Sequence, residues 1–352
     1  MTELLSTVES FLPKESPLRR WLARGWRGCT IGLWVVAVMD VTLRDRVPGL
    51  AAVFYATPSI VLGVLLLLIA GLGVGWPPSA VLLKYQISDL KSQKAGRPRA
   101  AILHQMLVLS TAMLGCVCLG LWLFGNFRWF SKQALPPESL KVVFWNVGRG
   151  KFASWDQIAE ELTRFDADVL ALVEANADEV QTREFWQSRL PGYSSLPMHG
   201  GFVLLVKGEA TQQAAGRLAM GGKFRQVSVT VRGIRFEMIL ADIVSDPLQS
   251  RGPPLAKLFE IMQAQADTPT LVVGDFNTPP TSVCFDDWRT SWSRAWEVCG
   301  SGYQATWPLP LTVLTLDHAW GNRGVTFHRC VCGWSRCSDH RPVIVELSVR
   351  DR

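Results

Sequence analysis

Charge is missing from two long stretches of this 352-residue chain. Lys, Arg, Asp and Glu are all absent from residues 47–83 and again from residues 100–127. Each stretch is longer than the roughly 20 apolar residues that a helix needs to cross a bilayer. This lack of charge argues against a chain that lies wholly in water. It predicts transmembrane helices at about residues 50–75 and 101–125.

A third apolar stretch, at about residues 28–44, is shorter and would be marginal by itself. Four arginines between residues 19 and 27 precede it, and five basic residues between 84 and 99 separate the two longer stretches. Basic residues next to spans lie preferentially in the cytoplasm. Both basic groups lie there only if the shorter stretch also crosses, which predicts three helices and places the remainder of the chain outside.

The part of the chain after residue 130 also lacks an excess of basic residues. Residues 1–130 hold 13 Lys and Arg against 6 Asp and Glu, or +7, and the rest holds 36 − 13 = 23 against 30 − 6 = 24, or −1. The positive charge therefore belongs to membrane topology and to contact with anionic lipid headgroups. A strong non-specific DNA binder is expected to be basic. A local basic groove stays possible, and its candidates are Arg149, Lys151, Lys223 and Arg225.

Repeats and low-complexity tracts are absent, and so is the paired C-x₂-C spacing of a zinc knuckle. The cluster Cys330, Cys332 and Cys337 is therefore weak evidence for zinc and leaves a disulfide or free thiols open. The predicted domains are a membrane anchor (1–130), a proline-marked linker (131–140) and a domain at 141–352. The chain is thus predicted to be an integral protein of the inner or plasma membrane, with membrane lipids as partners and the last domain on the periplasmic or extracellular side.

Five short segments of this last domain combine polar residues with the end of an apolar, β-rich run. They are Phe144-Trp-Asn146-Val, Leu172-Val-Glu174, Gly274-Asp-Phe-Asn277, Leu316-Asp317-His318 and Ser338-Asp-His340-Arg-Pro342. In a layered α/β fold, strand ends are places where side chains converge on one pocket. Such a set of Asn, Asp, Glu and His favours a site that binds a hard cation and a phosphate.

The runs between these segments predict alternating strands and helices. Ser154 and Gln157 form a capping box that predicts a helix to about Arg164. Further helices are predicted at 179–190 and 255–266, and a strand at 311–316 is expected to deliver Asp317. Mixed strands and helices with meanders indicate a layered α/β sandwich.

The ordered set of five segments resembles the endonuclease/exonuclease/phosphatase superfamily, which includes DNase I-like nucleases, inositol polyphosphate phosphatases and neutral sphingomyelinases. The resemblance covers roughly Lys141 to Val349, and the apolar helices resemble those of bacterial membrane-anchored members. It implies a four-layer DNase I-like α/β sandwich preceded by a bundle of about three transmembrane helices. It also implies a metal-dependent hydrolase that acts on phosphate esters.

The residues fit that chemistry, because phosphodiester cleavage needs a cation, an activated water and donors to the transition state. Glu174 is the best ligand for Mg²⁺ or Mn²⁺, which prefer carboxylate oxygens. The resemblance adds two residues to this metal group, Asn146 as a ligand or phosphate contact and Asp339 as a support. It also implies a catalytic set, in which Asp275 orients and deprotonates water, Asn277 bonds the phosphate, and His340 donates to a phosphate oxygen while Asp317 holds its ring.

One departure from the family pattern is at Asp242, where a phosphate-binding histidine is expected. A carboxylate there repels phosphate unless it binds metal or a proton, so Asp242 joins the metal shell, or the activity is reduced, or the substrate differs. Arg251 is the second candidate phosphate contact, although it could merely brace its helix. His318 is assigned a structural role, because it points away from Asp317 on the same strand.

The sequence leaves three functions open. The first is a membrane-anchored phosphodiesterase or nuclease, acting on nucleic acid or phospholipid, with no identifiable protein partner. The second is a lipid phosphodiesterase of the sphingomyelinase kind, or a phosphomonoester hydrolase. An apolar rim formed by the stretch from Trp288 to Trp296 and by Trp307 would suit the lipid enzyme, although tryptophan is more commonly buried. The third is an impaired domain that only binds or senses, which the departure at Asp242 would favour. Each site residue also has an ordinary structural explanation as a turn former or a helix cap.

Overall fold

The computed structural model describes residues 17–74, 99–129 and 135–350. Two compact units divide the chain. The helical unit comprises Met1–Leu43 and Ala56–Gly125, and the sheet unit comprises Arg44–Tyr55 and Asn126–Arg352. The sheet unit thus contains a short segment that lies between two apolar helices in the sequence. The domain boundaries given above remain predictions.

The helices of the described residues are α1 (Pro17–Thr42), α2 (Pro48–Ala56), α3 (Ser59–Val74), α4 (Arg99–Asn126), α5 (Trp155–Phe165), α6 (Arg183–Arg189), α7 (Gly252–Gln263) and α8 (Ala295–Cys299). The strands are β1 (Phe127–Arg128), β2 (Leu140–Asn146), β3 (Val169–Val173), β4 (Ser194–Met198), β5 (Phe202–Val206), β6 (Gly208–Arg217), β7 (Lys223–Val231), β8 (Ile234–Asp242), β9 (Thr270–Asp275), β10 (Ser293–Arg294), β11 (Gly302–Tyr303), β12 (Asp317–Gly321), β13 (Val325–Cys332) and β14 (Val343–Val349).

Among the helices described, Ile102–Asn126 is long and apolar enough to cross a membrane. The predicted span at 50–75 is not one helix, because Thr57 and Pro58 separate α2 from α3. Proline lacks the N–H that a helix interior requires and disfavours helical geometry at the residue before it. Of these two helices, α3 is the longer, with 16 residues against 9 for α2. The number of spans therefore remains a prediction.

Two six-stranded sheets form the centre of the sheet unit. Sheet 1 has the order β13-β14-β2-β3-β5-β4, and sheet 2 has the order β10-β12-β9-β8-β7-β6. Strands β2 and β3 are parallel in sheet 1, as are β8 and β9 in sheet 2, and the other pairs are antiparallel. A small ladder of β1 and β11 joins residues that follow α4 to this unit.

Three apolar cores fill the spaces around the sheets. The largest lies between them and includes Phe144 and Val273. A second packs α5 and α6 on the outer face of sheet 1, and a third packs α7 and an aromatic segment on the outer face of sheet 2. This helix–sheet–sheet–helix arrangement confirms the predicted four-layer sandwich.

Local patterns predict some element ends well and others poorly. The capping box at the start of α5 is present, with the Gln157 N–H donating to Ser154 Oγ at 3.3 Å. The helix predicted at 179–190 starts later, at Arg183, because Thr182 caps it by accepting from the Phe185 N–H at 3.3 Å. The strand predicted at 311–316 is wrong. Backbone bonds between Trp307 and Leu314 close a loop there, and β12 begins at Asp317.

Candidate active site

Four polar side chains form a row across one end of sheet 2. Lys223, Asp242, Asp275 and Asp317 are successive register partners on β7, β8, β9 and β12. Residues paired in this way project from the same face of a sheet. Val273, two residues before Asp275, belongs to the core between the sheets, so the row faces sheet 1.

Sheet 1 contributes residues from the ends of its two parallel strands. Asn146 is the last residue of β2 and is buried, and its Nδ2 donates to Asp275 Oδ2 at 2.9 Å across the space between the sheets. Glu174 follows β3 in a left-handed conformation, with φ 58°. Its carboxylate accepts from Arg149 Nε at 3.2 Å and is 24% exposed. Glu174 is therefore an accessible carboxylate of the predicted set.

A histidine joins two carboxylates of the row. His340 Nδ1 lies 2.9 Å from Asp317 Oδ2, and its Nε2 lies 3.8 Å from Asp275 Oδ2. The backbone around this ring is fixed, since the His340 carbonyl accepts from Trp145 Nε1 at 2.9 Å and its N–H donates to Ser338 Oγ at 3.1 Å. All three titratable groups are buried.

The close packing of these groups shifts their protonation. Burial, followed by the like charge of Asp317, raises the pKa of Asp275 to about 8. Burial alone would lower the pKa of His340, but Asp317 and then Asp275 outweigh it and raise that pKa to about 10. The geometry therefore favours a ring cation at His340, with the Asp317 carboxylate as its nearest partner.

The same cluster bears on metal binding. One ligand atom from each of Asp275, Asp317 and His340 lies within 4.8 Å of the others, so this buried group could hold a metal ion. Asp317 Oδ1 is buried and has no hydrogen-bond partner among the described residues. Together with Glu174 at the same end of the sheets, the site offers carboxylate oxygens, which hard divalent cations prefer. The donor set fits such a cation.

Asn277 is held in a left-handed conformation, with φ 47°, just beyond β9. Its N–H donates to Asp275 Oδ1 at 2.9 Å, and its Nδ2 donates to the Ile243 carbonyl at 2.7 Å. Its own carbonyl accepts from Arg251 Nε at 3.2 Å. Arg251 is 3% exposed, so it braces the backbone beneath the site.

Asp242 is paired with a lysine of the neighbouring strand. Lys223 Nζ lies 3.0 Å from Asp242 Oδ2 and donates to the Gly200 carbonyl at 3.0 Å. The next carbonyl, of Gly201, accepts from the N–H of Ala175, the residue after Glu174. The ammonium group thus connects sheet 2 to the loop that supports Glu174. The sequence identified Lys223 only as a basic groove residue, because its pairing depends on strand register.

Asp339 and His318 have different surroundings. Asp339 Oδ2 accepts from Trp307 Nε1 at 3.1 Å, and its Oδ1 lies 3.0 Å from where a Cβ on Gly148 would be. His318 is 1% exposed and stacks on Phe276 with the ring centres 5.2 Å apart. Burial lowers the pKa of His318 well below its usual value, which agrees with an inert, structural ring.

Solved structures share this fold at low sequence identity. An endonuclease/exonuclease/phosphatase family protein from Bacteroides thetaiotaomicron is 16% identical, with a TM-score of 0.50, and the match covers 62% of this chain and 100% of that one. The human Nocturnin catalytic domain with bound sulfate is 17% identical, with a TM-score of 0.47 and coverage of 60% and 94%. A mannosyl-6-phosphatase from Bacteroides thetaiotaomicron is 16% identical, with a TM-score of 0.47 and coverage of 60% and 100%.

The first of these matches supports the fold, and none of them carries information on substrate. No curated protein matches the chain. The sequence pattern of the Endonuclease/Exonuclease/phosphatase family matches residues 143–340, more than half of the chain, and this range contains all the predicted site residues. The chain therefore belongs to the Endonuclease/Exonuclease/phosphatase family, whose members are phosphoester hydrolases.

Proposed function

We propose that the sheet unit hydrolyses phosphodiester bonds, using a divalent metal ion and a water molecule that Asp275 activates. The observation that carries this proposal is the chain of polar contacts from Asp317 through His340 and Asp275 to Asn146, which crosses from one sheet to the other. Acid–base groups placed in this way contribute on the order of 10²–10⁴ to a rate.

Glu174, Asn146 and Asp339 would hold Mg²⁺ or Mn²⁺. The metal would neutralise charge that develops on the phosphate oxygens. This group is preferred to the cluster around His340 because only a neutral imidazole binds metal, whereas the pKa of His340 is raised. Glu174 also offers an exposed carboxylate, and its partner Arg149 can move since its side chain is 54% exposed.

Asp275 is prepared to act as the base. Asn146 and the backbone N–H of Asn277 each donate to one of its oxygens, so the carboxylate cannot rotate. Asp317 holds the proton of His340 on Nδ1, which leaves an Nε2–H to donate to a phosphate oxygen. Asn277 uses one amide hydrogen on Ile243 and has a second for the scissile phosphate.

Lys223 supplies the cationic donor that Asp242 cannot. Asp242 occupies the position of the expected phosphate-binding histidine, but Lys223 neutralises it and brings an ammonium group between the two sheets. Charge repulsion towards phosphate is thereby cancelled. This pairing favours an active enzyme over an impaired binding domain.

The helical unit would anchor the enzyme in the inner or plasma membrane, with the sheet unit on the periplasmic or extracellular side. The supporting observations are the apolar helix Ile102–Asn126 and the distribution of basic residues. The substrate would be a phosphodiester of a nucleic acid or of a phospholipid. Because the part of the chain after residue 130 carries a formal charge of −1, binding to nucleic acid would depend on a local groove.

Exposed apolar residues near the site favour a lipid phosphodiesterase as the second candidate. They lie on four separate loops next to the strand ends that carry the site, and they are Phe152, Met220, Leu248 and Leu311, with exposures of 52%, 46%, 83% and 79%. Exposed apolar groups around a site are suited to the acyl region of an amphiphile or a bilayer.

The test is hydrolysis by the full-length chain in detergent, with Mg²⁺ or Mn²⁺ and with EDTA. The substrates are bis-p-nitrophenyl phosphate, supercoiled and single-stranded DNA, and sphingomyelin in mixed micelles. We expect metal-dependent cleavage that Asp275→Asn abolishes, and the preferred substrate decides between the two candidates. Failure to cleave any substrate, in a protein shown to be folded, would contradict the proposal and favour a binding or sensor domain.

A further inference from the structure

The segment Arg44–Tyr55, which we name the strap, connects α1 to α3 but belongs to the sheet unit. Its anchor is Asp45, whose carboxylate is buried. Three groups donate to that carboxylate: the Ser282 hydroxyl, the Val283 N–H at 2.9 Å and the Tyr55 hydroxyl at 3.0 Å. A buried carboxylate with three donors is a specific attachment and not a chance surface contact.

Both ends of the strap reach loops next to the site. At one end, Arg44 forms two bonds of 3.2 Å to the Asp286 carboxylate and a third to the Thr281 carbonyl. At the other end, the ring of Tyr55 lies 5.8 Å from the guanidinium carbon of Arg251. The strap therefore contacts residues 281–286 of the segment after β9 and ends against Arg251, the side chain that braces Asn277.

Arg251 transmits these contacts to the site. Its Nε donates to the carbonyl of Asn277, and its NH1 donates to the carbonyl of Gln249. Asn277 has a positive φ, a conformation that non-glycine residues keep only when their surroundings fix it. The Tyr55 ring lies beside Arg251, whose side chain is buried, and a buried environment strengthens the bond to the Asn277 carbonyl.

We propose that the strap is a positioning element of the active site. Asp45 holds Tyr55, the Tyr55 ring packs against Arg251, and Arg251 holds Asn277 in the orientation that presents its amide to the scissile phosphate. This inference rests on the function proposed above. It implies that residues 131–352 by themselves lack a part of the active site.

The experiment uses the full-length chain with the variants Asp45→Asn and Tyr55→Leu, and with Tyr55→Phe as the conservative substitution. Asp45→Asn replaces one acceptor oxygen of the carboxylate by an NH₂ group. This group donates and would oppose one of the three donors that bond to Asp45. We expect a roughly tenfold lower kcat in the first two variants, with KM and the Mg²⁺ concentration for half activity unchanged. Tyr55→Phe keeps the ring over Arg251 and should retain more of kcat than Tyr55→Leu. Arg46→Gln, an exposed change on the strap, is the matched control.

A double-mutant cycle separates positioning from general stability. Asn277→Gly removes the amide while tolerating the positive φ. In that background Asp45→Asn should cause no further loss of kcat, because the strap acts through Asn277. Equal losses of kcat in both backgrounds would overturn the proposal and indicate a purely structural strap. A wild-type kcat in the strap variants would also overturn it.

Amide hydrogen exchange provides a readout that does not need activity. The N–H of Asn277 is bonded to Asp275, and its exchange should be faster in Asp45→Asn while the amides of sheet 1 stay protected. If the wild-type chain hydrolyses nothing, the proposed function fails. The strap is then judged on exchange alone, and unchanged exchange at residues 276–278 overturns it.

Discussion

The two sheets contribute to the active site in different ways. Sheet 2 places Asp242, Asp275 and Asp317 on the terminal residues of its strands, where the backbone ladder still fixes them and they are almost inaccessible to solvent. Sheet 1 places Glu174 beyond the end of β3, in a left-handed turn where its side chain is 24% exposed. The ladder suits proton transfer, because burial changes the pKa of its groups. The turns suit the exchange of ligands with solvent.

The largest expected effect tests the buried residues of the site that lie around His340. His340→Ala should lower kcat by about 10³-fold, since it removes the proposed donor to the phosphate and the partner of Asp275 and Asp317. The measurement is metal-dependent hydrolysis of bis-p-nitrophenyl phosphate.

The matched control is the other buried histidine of this unit. His318→Phe substitutes a ring that can pack on Phe276 and Phe285, and it should leave kcat close to wild type. Equal losses in His318→Phe and His340→Ala would mean that the fold, and not the proton, is what His340 provides.

The next largest effect tests Glu174, the exposed carboxylate beyond β3. Glu174→Gln should raise the Mg²⁺ concentration needed for half activity by about 10²-fold, because a charged ligand becomes a neutral one. Excess metal should restore a large part of kcat, which it cannot do for His340→Ala. Arg149→Gln frees the carboxylate from its partner and should shift the metal dependence in the opposite direction. A Glu174→Gln variant with unchanged metal dependence would contradict this assignment.

A smaller effect tests Lys223, which connects sheet 2 to the loop that supports Glu174. Lys223→Met should lower kcat/KM about 10- to 100-fold, the value of one charge-assisted hydrogen bond. The double variant Lys223→Met/Asp242→Asn distinguishes two roles. It should stay impaired if the ammonium contacts phosphate, whereas recovery to wild-type activity would show that Lys223 only neutralises Asp242.

The smallest effect concerns pH. The base must be ionised, so kcat/KM should fall as the pH falls through the pKa of Asp275, which is raised to about 8 and which bound metal would lower. Asp242 is one of the charges that raise that pKa. Asp242→Asn should therefore move the midpoint to lower pH at the same metal concentration. A midpoint that stays in place or rises would separate Asp242 from the protonation of the base.

The layers of the fold and most of the site could be predicted from sequence because both depend on local patterns. Apolar runs mark the strands, Ser154 and Gln157 mark a helix start, and each motif lies at or next to a strand end. Polar residues at neighbouring strand ends converge in any such sheet. The predicted set from Asn146 to His340 is accordingly gathered at one end of the two sheets.

The parts that could not be predicted depend on pairings distant in sequence. The partner of Asp242 is set by the register of the β7–β8 hairpin, in which Lys223 pairs with it 19 positions earlier (242 − 223 = 19). The hydrophobic pattern of 50–75 gives no sign that α2 contributes to a different unit from α3. Asp45 and Ser282 lie 237 positions apart, and neither belongs to a motif that would suggest the contact.

That separation has a consequence for biosynthesis. A chain grows at about 5–20 residues per second, so Asp45 leaves the ribosome roughly 10–50 s before Ser282 does. Through that interval the strap has no docking partner. The hydrolase would therefore become competent only late in its own synthesis, after Ser282 and Val283 have been released to bind the strap. The order of synthesis would thus delay the onset of phosphoester hydrolysis.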